Sequence, residues 1–278
     1  MLYKDFRRLI ERYLHMEDPE LAVQIKDFTN ESILEFCRKY EWRMNSVNED
    51  LTLDGSNSYN LSNILFHVFA WEIALINSSG AELSKYSYRE YIKLFSKADS
   101  WAMAGNILYV QGDASVLTFL FMTPGRIPIS HIISGVDIAL KTFTITGDKV
   151  KYYNIGEQFI VNGSTGNDKS GIPYTIADVA LVSDDTILTV EDTVANATAD
   201  GNIIPQYQYP LSGDYHRSEV LDAYWDVIKS MVIVKVLDYV NDQEAMQKEE
   251  MNLQRKLIEL KGGENRANNQ GKPQYVVR

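Results

Sequence analysis

Residues 142–201 read TFTITGDKVKYYNIGEQFIVNGSTGNDKSGIPYTIADVALVSDDTILTVEDTVANATADG, and this stretch decides the architecture. Short runs of β-branched and aromatic residues alternate with Gly, Asn and Asp turns. Strands are predicted at 143–145, 158–161, 174–177 and 187–190. Gly147-Asp148, residues 163–168 and Asp184-Asp185 supply the turns. Alternation is clearest in Thr186-Ile187-Leu188-Thr189-Val190. Helical patterns flank the block on both sides, so a β module spanning 131–204 reads as inserted into a mostly helical chain.

Upstream, Tyr3, Phe6, Ile10, Tyr13 and Leu14 recur at helical spacing and predict an amphipathic helix over 2–16. Asp18-Pro19 is a helix start, and Thr29 or Asn30 can cap a further helix ending near Trp42. Residues 51–61 read as two short strands about the turn 54–57. The apolar run 64–76 fits strand or helix. Ser87 and Glu90 have capping-box spacing and start a helix to about Ala98. Strands at 106–111 and 116–122 follow, with Gly112-Asp113 as their turn.

Downstream, Ser218 or Asp214 can open a helix from Val220 to Val240 that is apolar on nearly every face and therefore buried. Asn241-Asp242 can break or bend it. Met246, Leu253, Leu257 and Leu260 form a narrower stripe on a charged helix. Lys261-Gly262-Gly263 is a stop signal.

The chain has 278 residues, 45% of them hydrophobic, which suits a folded globular protein. No apolar run approaches a membrane span, and the first residues lack a signal-peptide pattern. The net charge of −11 argues against non-specific wrapping of nucleic acid. Cys37 is the one cysteine and reads as a buried structural thiol.

Candidate chemistry is sparse. His15, His67, His131 and His216 are scattered without metal-ligand spacing, so no metal and no cofactor is expected. Gly163-Ser164-Thr165-Gly166 leads into a strand and not a helix, so it reads as a turn and not a phosphate cradle. Asp184-Asp185 and Glu191-Asp192 read as solvated groups, with a weak calcium contact as the lesser reading. The 17 tyrosines include Tyr86, Tyr88 and Tyr91, and Tyr207 and Tyr209, which suit packed interfaces. The tail 264–278, ENRANNQGKPQYVVR, carries Arg266, Lys272 and Arg278 and ends in a β-prone Tyr-Val-Val.

The order of these pieces resembles the head–tail connector, or portal adaptor, proteins of tailed bacteriophages. The likeness rests on NESILEFCRKYEW at 30–42, LTLDGSNSYNL at 51–61, SYREYIKLFSKADSWAMAGNILYV at 87–110 and HRSEVLDAYWDVIKSMVIVKVLDYV at 216–240. Separately, GSTGNDKSGIPYTIADV followed by DDTILTVED resembles a β module that recurs in phage structural proteins. The match lies at Gly166-Asn167-Asp168, Gly171 and Tyr174-Thr175. Lys169-Ser170 and Ile172-Pro173 depart from it. Together the two likenesses cover most of 20–245.

The fold class this reading implies is α+β: a helical connector body with short strands, a long C-terminal helix, and an inserted small β-barrel or sandwich-like module. The implied divisions are 1–130 and 205–263 for the body, 131–204 for the module and 264–278 for an extended arm. The implied function is non-enzymatic. A dodecameric ring would sit between the portal protein and a tail or stopper protein in the virion neck, assembled in the host cytoplasm, with double-stranded DNA passing through its lumen and no membrane involved. The arm that would reach the portal comprises Arg266, Lys272, Pro273, Tyr275, Val276, Val277 and Arg278. Other readings are a tail-tube or baseplate component, or a glycan-binding protein using Tyr152, Tyr153 and Tyr174.

Overall fold

The computed structural model describes residues 1–15, 19–39, 46–65, 67–94, 97–110 and 116–269. The chain divides into two compact units, one built from 3–127 and 218–278, the other from 128–217.

In the first unit, helices α1 (Tyr3–Leu14) and α2 (Pro19–Lys39) are followed by strands β1 (Ser46–Thr52) and β2 (Ser58–Asn60) and the single turn α3 (Leu61–Ile64). Then come β3 (Trp71–Ile76), β4 (Ser84–Ser87), the turn α4 (Tyr88–Tyr91), β5 (Ser100–Ala104), β6 (Ile107–Val110) and β7 (Val116–Met122). Strands β1, β7 and β3 form a three-stranded sheet, and β2, β6, β5 and β4 a four-stranded one. In β7, VLTFLFM places Leu117, Phe119 and Phe121 inward at every second position. They join Trp101, Leu51, Leu75 and Leu108 in one core.

The helical connector body with a long C-terminal helix does not form. Among the described residues of this unit seven strands form two sheets, more sheet than the expected helical body with short strands. β6 and β7 fall where strands were expected, and of the run 64–76, whose apolar residues fit either period, Trp71–Ile76 is strand β3. The closing segment is two helices, α5 (Glu219–Tyr239) and α6 (Gln243–Asn269). Asn241, at φ 59°, lies between them.

Further local expectations change. The strands around 54–57 do not pair with each other: β1 pairs with β7, from Ser46–Met122 to Thr52–Val116, while β2 pairs with β6. Thr29 is not a cap. It lies buried inside the continuous α2, where its hydroxyl donates to the Ile25 carbonyl at 2.6 Å. The Ser87–Glu90 capping box forms, but α4 is one turn long. β6 pairs with β5 and not with β7. α6 runs through Gly262 and Gly263 to Asn269, past the expected stop. Asp18, Trp42 and Gly112-Asp113 lie outside the described residues.

α5 is buried along most of its length, with Val220, Leu221, Ile228, Val232, Ile233 and Val236 inward. Ser218 caps it, its Oγ accepting from Leu221 N at 3.4 Å. Ser218→Ala should cost about 1 kcal/mol, seen as an earlier urea transition of tryptophan fluorescence. An unchanged midpoint would remove the cap from the account of this helix start.

The second unit carries β8 (His131–Asp137), β9 (Thr142–Ile145), a 3-10 turn (Val150–Tyr152), β10 (Gln158–Asn162), β11 (Tyr174–Val182), β12 (Asp185–Val190) and β13 (Asn202–Pro205). They close into a barrel in the order β10-β11-β12-β9-β8-β13. Closure leaves the barrel no open sheet edge. Alternation points Phe143 and Ile145, Phe159 and Val161, Tyr174 and Ile176, and Leu188 and Val190 inward. Phe143, Phe159 and Tyr174 meet at its centre, with ring centroids 5.1–5.7 Å apart.

Candidate functional site

The arm residues are not gathered into a site. Arg266 stands on the α6 backbone, while Lys272, Pro273, Tyr275, Val276, Val277 and Arg278 lie outside the described residues.

A surface the arm proposal overlooked lies on the helices. α6 is held from one side. Lys256 Nζ donates to Asp226 Oδ1 and Ser230 Oγ on α5, both at 2.9 Å. Glu249, only 5% exposed, accepts from the Tyr13 hydroxyl of α1 at 3.1 Å. Burial and this bond push the Tyr13 pKa up. With that face fixed, Met251 and Ile258 point outward, each 69% exposed. They stand two helical turns apart on the same face. Beside them runs an open groove of about 1090 Å³, lined by Glu35, Met231, Val234, Met251, Leu253 and Ile258 among others. Lys235 is held at its wall by Glu31 at 3.3 Å and Glu35 at 3.5 Å. Lys39, Gln247, Glu250, Gln254, Arg255 and Glu259 also line it, and this mixture suits a partner segment with an apolar centre and a polar rim.

A second apolar patch lies on the same unit. Tyr86, Tyr88, Ile92 and Ile107 are 37–52% exposed. Tyr88 and Tyr109 rings lie 4.5 Å apart beside a shallow hollow of about 280 Å³. Lys97 Nζ lies 5.2 Å from the Tyr91 ring centroid, a cation–π contact. Of the tyrosines flagged by sequence, Tyr86 and Tyr88 are exposed here, whereas Tyr91 and Tyr209 are buried.

Of the three tyrosines named for glycan binding, Tyr152 is partly exposed and the other two are buried. Tyr174 is 0% and Tyr153 3% exposed. Burial raises the Tyr174 pKa to about 12 and that of Tyr153 further. The Tyr153 hydroxyl lies 2.6 Å from His131 Nδ1.

One carboxylate of each pair accepts from a backbone amide, Asp185 at a turn and Asp192 against the start of β11. Asp185 accepts from Gly147 N and Asp192 from Thr175 N, at 2.9 and 2.7 Å. Cys37 is buried, its thiol donating to the Thr123 carbonyl at 3.4 Å. Among the described residues no cluster of three or more His, Cys, Asp or Glu is placed to hold a metal ion. Nor is any helix among them long and apolar enough to cross a membrane.

Two residues carry the barrel's loops: Asn167, which stands in the matched Gly166-Asn167-Asp168 step, and Asp200, which was not singled out in the sequence. Asn167 is fully buried. Its Oδ1 accepts from Ala195 N and Asn196 N at 3.2 and 3.1 Å, and its Nδ2 donates to Asn196 O at 2.8 Å. Asp200 accepts from Ser164 Oγ at 2.7 Å, from Thr165 N at 3.0 Å and from the Thr165 hydroxyl. Those hydrogen bonds, Thr165's first, pull the Asp200 pKa down. The available signal was Asn and Asp beside Gly, which are residue types that satisfy backbone groups locally.

No family model matches the chain, and no curated protein matches it.

Proposed function

We propose that the chain is a non-enzymatic virion structural protein. It forms a dodecameric ring in the neck of a tailed bacteriophage, between the portal protein and the tail or stopper protein. The observation that carries this reading is the pair of unlike apolar patches on one unit: Met251 and Ile258 beside their groove, and Tyr86, Tyr88, Ile92 and Ile107. A closed ring is built from heterologous contacts, so each subunit needs two different surfaces that meet on its neighbours. The motif order described from the sequence supports the same reading. The charge of −11 per chain is compatible with a channel whose wall repels DNA phosphates and lets the genome slide.

In this reading the arm, Lys272 through Arg278, docks on the portal. Assembly takes place in the host cytoplasm. A tail-tube or baseplate role would instead give association with tail proteins.

The test is mass photometry and negative-stain microscopy of the purified chain, alone and with portal. The expected result is a ring with portal bound. Met251→Glu with Ile258→Glu should weaken ring association at least roughly tenfold, because both charges enter an apolar contact. The melting temperature should stay unchanged, since both positions are exposed. Deleting 270–278 should remove portal binding and keep the ring. A chain that stays monomeric beside portal sinks the proposal, and capture by tail proteins moves it down the tail.

A further inference from the structure

Strand β10 ends in an Asn-Gly step, Asn162-Gly163, with both residues exposed. Gly163 has φ 72°, and a Cβ there would meet nothing within 4 Å. Such a step is the least hindered setting for one reaction of the chain with itself. The Gly nitrogen attacks the Asn side-chain carbonyl and forms a five-membered succinimide. In a freely moving chain nothing opposes it.

In the folded barrel two features oppose it. Asn162 is paired with Asn202 in the β10–β13 ladder, which holds it extended and swings its side chain away from the next nitrogen. The Gly163 N–H donates to Asp168 Oδ2 at 2.9 Å. Attack requires that nitrogen to lose its proton, and a neighbouring carboxylate disfavours the resulting anion. Asp168 is itself fixed, its Oδ1 accepting from Ser170 N at 2.8 Å.

Across the ladder stands a second step of the same kind, Asp200-Gly201. Cyclisation of an aspartate proceeds through its protonated carboxyl, which leaves as water. The Asp200 carboxylate is held by the Ser164 and Thr165 donors already described. Gly201, at φ 81°, presses against the same loop: a Cβ there would lie 2.7 Å from Ser164 N and 2.8 Å from Asn162 O. Each loop therefore immobilises the reactive step of the other.

We infer that Asn162-Gly163 is a latent self-modification site that the closed barrel keeps shut through Asp168 and the β10–β13 ladder, and that opening the barrel releases it. On opening, Gly163 N bonds to Asn162 Cγ and the Cγ–Nδ2 bond breaks. The amide proton leaves with the side-chain nitrogen as ammonia. Water then opens the ring at either carbonyl, giving aspartate or isoaspartate at position 162. Isoaspartate adds one methylene to the main chain at the ladder position facing Asn202. The strand can no longer re-pair in register, so one opening that lasts long enough becomes permanent.

The experiment incubates the full chain at mildly alkaline pH, folded in buffer and unfolded in urea. The 162-containing peptide is followed by mass spectrometry and isoaspartate by enzymatic methylation. The folded chain should react at least roughly tenfold more slowly, because reaction waits on local opening. Asp168→Ala should raise the folded-state rate by roughly tenfold, the scale of losing one charge-assisted hydrogen bond. Asn162→Gln should abolish the ammonia loss that fragmentation places at position 162, in both states. Equal folded and unfolded rates in the parent chain overturn the inference, whether or not the Asp168 variant folds. So does an Asp168→Ala chain that is folded by circular dichroism and reacts at the parent rate.

Discussion

Trp101→Ala lowers the stability of the sheet-and-helix unit by about 4 kcal/mol. Trp101 is 1% exposed and is the bulkiest of the fully buried side chains. It sits edge-on to Phe119, with ring centroids 6.1 Å apart at 84°. Its Nε1–H donates to the Leu83 carbonyl at 3.1 Å. Truncation opens a cavity in the core and leaves that carbonyl without its partner, and the two losses have the same sign. Urea unfolding measures the effect. All four tryptophans (Trp42, Trp71, Trp101 and Trp225) belong to the first unit, so indole fluorescence reports that unit. The Trp101→Ala midpoint should move sharply in fluorescence, and the barrel's contribution to far-ultraviolet circular dichroism should hold. A shift below about 1 kcal/mol would mean that the core closes over the gap.

Acidification from about pH 7 to pH 5 should remove about 2 kcal/mol of barrel-unit stability through His216 alone. The ring is 9% exposed, and burial lowers its pKa from 6.5 to about 4. Nδ1 accepts from Gly213 N at 2.9 Å and Ser212 N at 3.1 Å, and the Gln208 side-chain amide packs against the ring. Protonating Nδ1 breaks both bonds and charges a buried ring. The folded state therefore binds fewer protons than the unfolded state between pH 4 and 6.5. The full contribution is present above pH 6.5 and falls away as the pH drops toward 4. His131, lowered by burial and then by Lys149, adds a loss of the same sign. The measurement is the urea midpoint by far-ultraviolet circular dichroism across pH 7 to 5 for the parent and His216→Gln. The variant should show a flatter profile; an identical slope would falsify the assignment to His216.

Sequence legibility followed the range of the interactions. Four of the six barrel strands, the Ser87–Glu90 capping box and the Ser218 cap were readable because each is decided within a few residues. Strand partners were not. The pairing of Ser46 with Met122 depends on which distant edge is vacant, and no local pattern encodes that. The stop at Gly262-Gly263 failed because helix-ending chemistry is a preference that the surrounding helix can override. The exposed apolar face of α6 was half visible. Met246, Leu253, Leu257 and Leu260 were read as the apolar stripe of α6, of which Leu257 is buried. Met251 and Ile258, off that stripe and seven apart, were the signal of a second face. It was passed over because a single exposed apolar residue is ordinary and only the spacing of two makes a surface.

The length of α6 sets a radius on how far the last residues can reach. Its 27 residues advance the chain about 40 Å from the α5–α6 turn to Asn269. Residues 270–278 then extend at most about 30 Å farther. Every contact made by Arg278 must fall inside a sphere of that radius centred on the helix tip. A photo-crosslinker placed at the last residue thus acts as a ruler. Its attachment points map the partner surface within reach of each helix end, and in a ring they repeat at the angular spacing of the subunits.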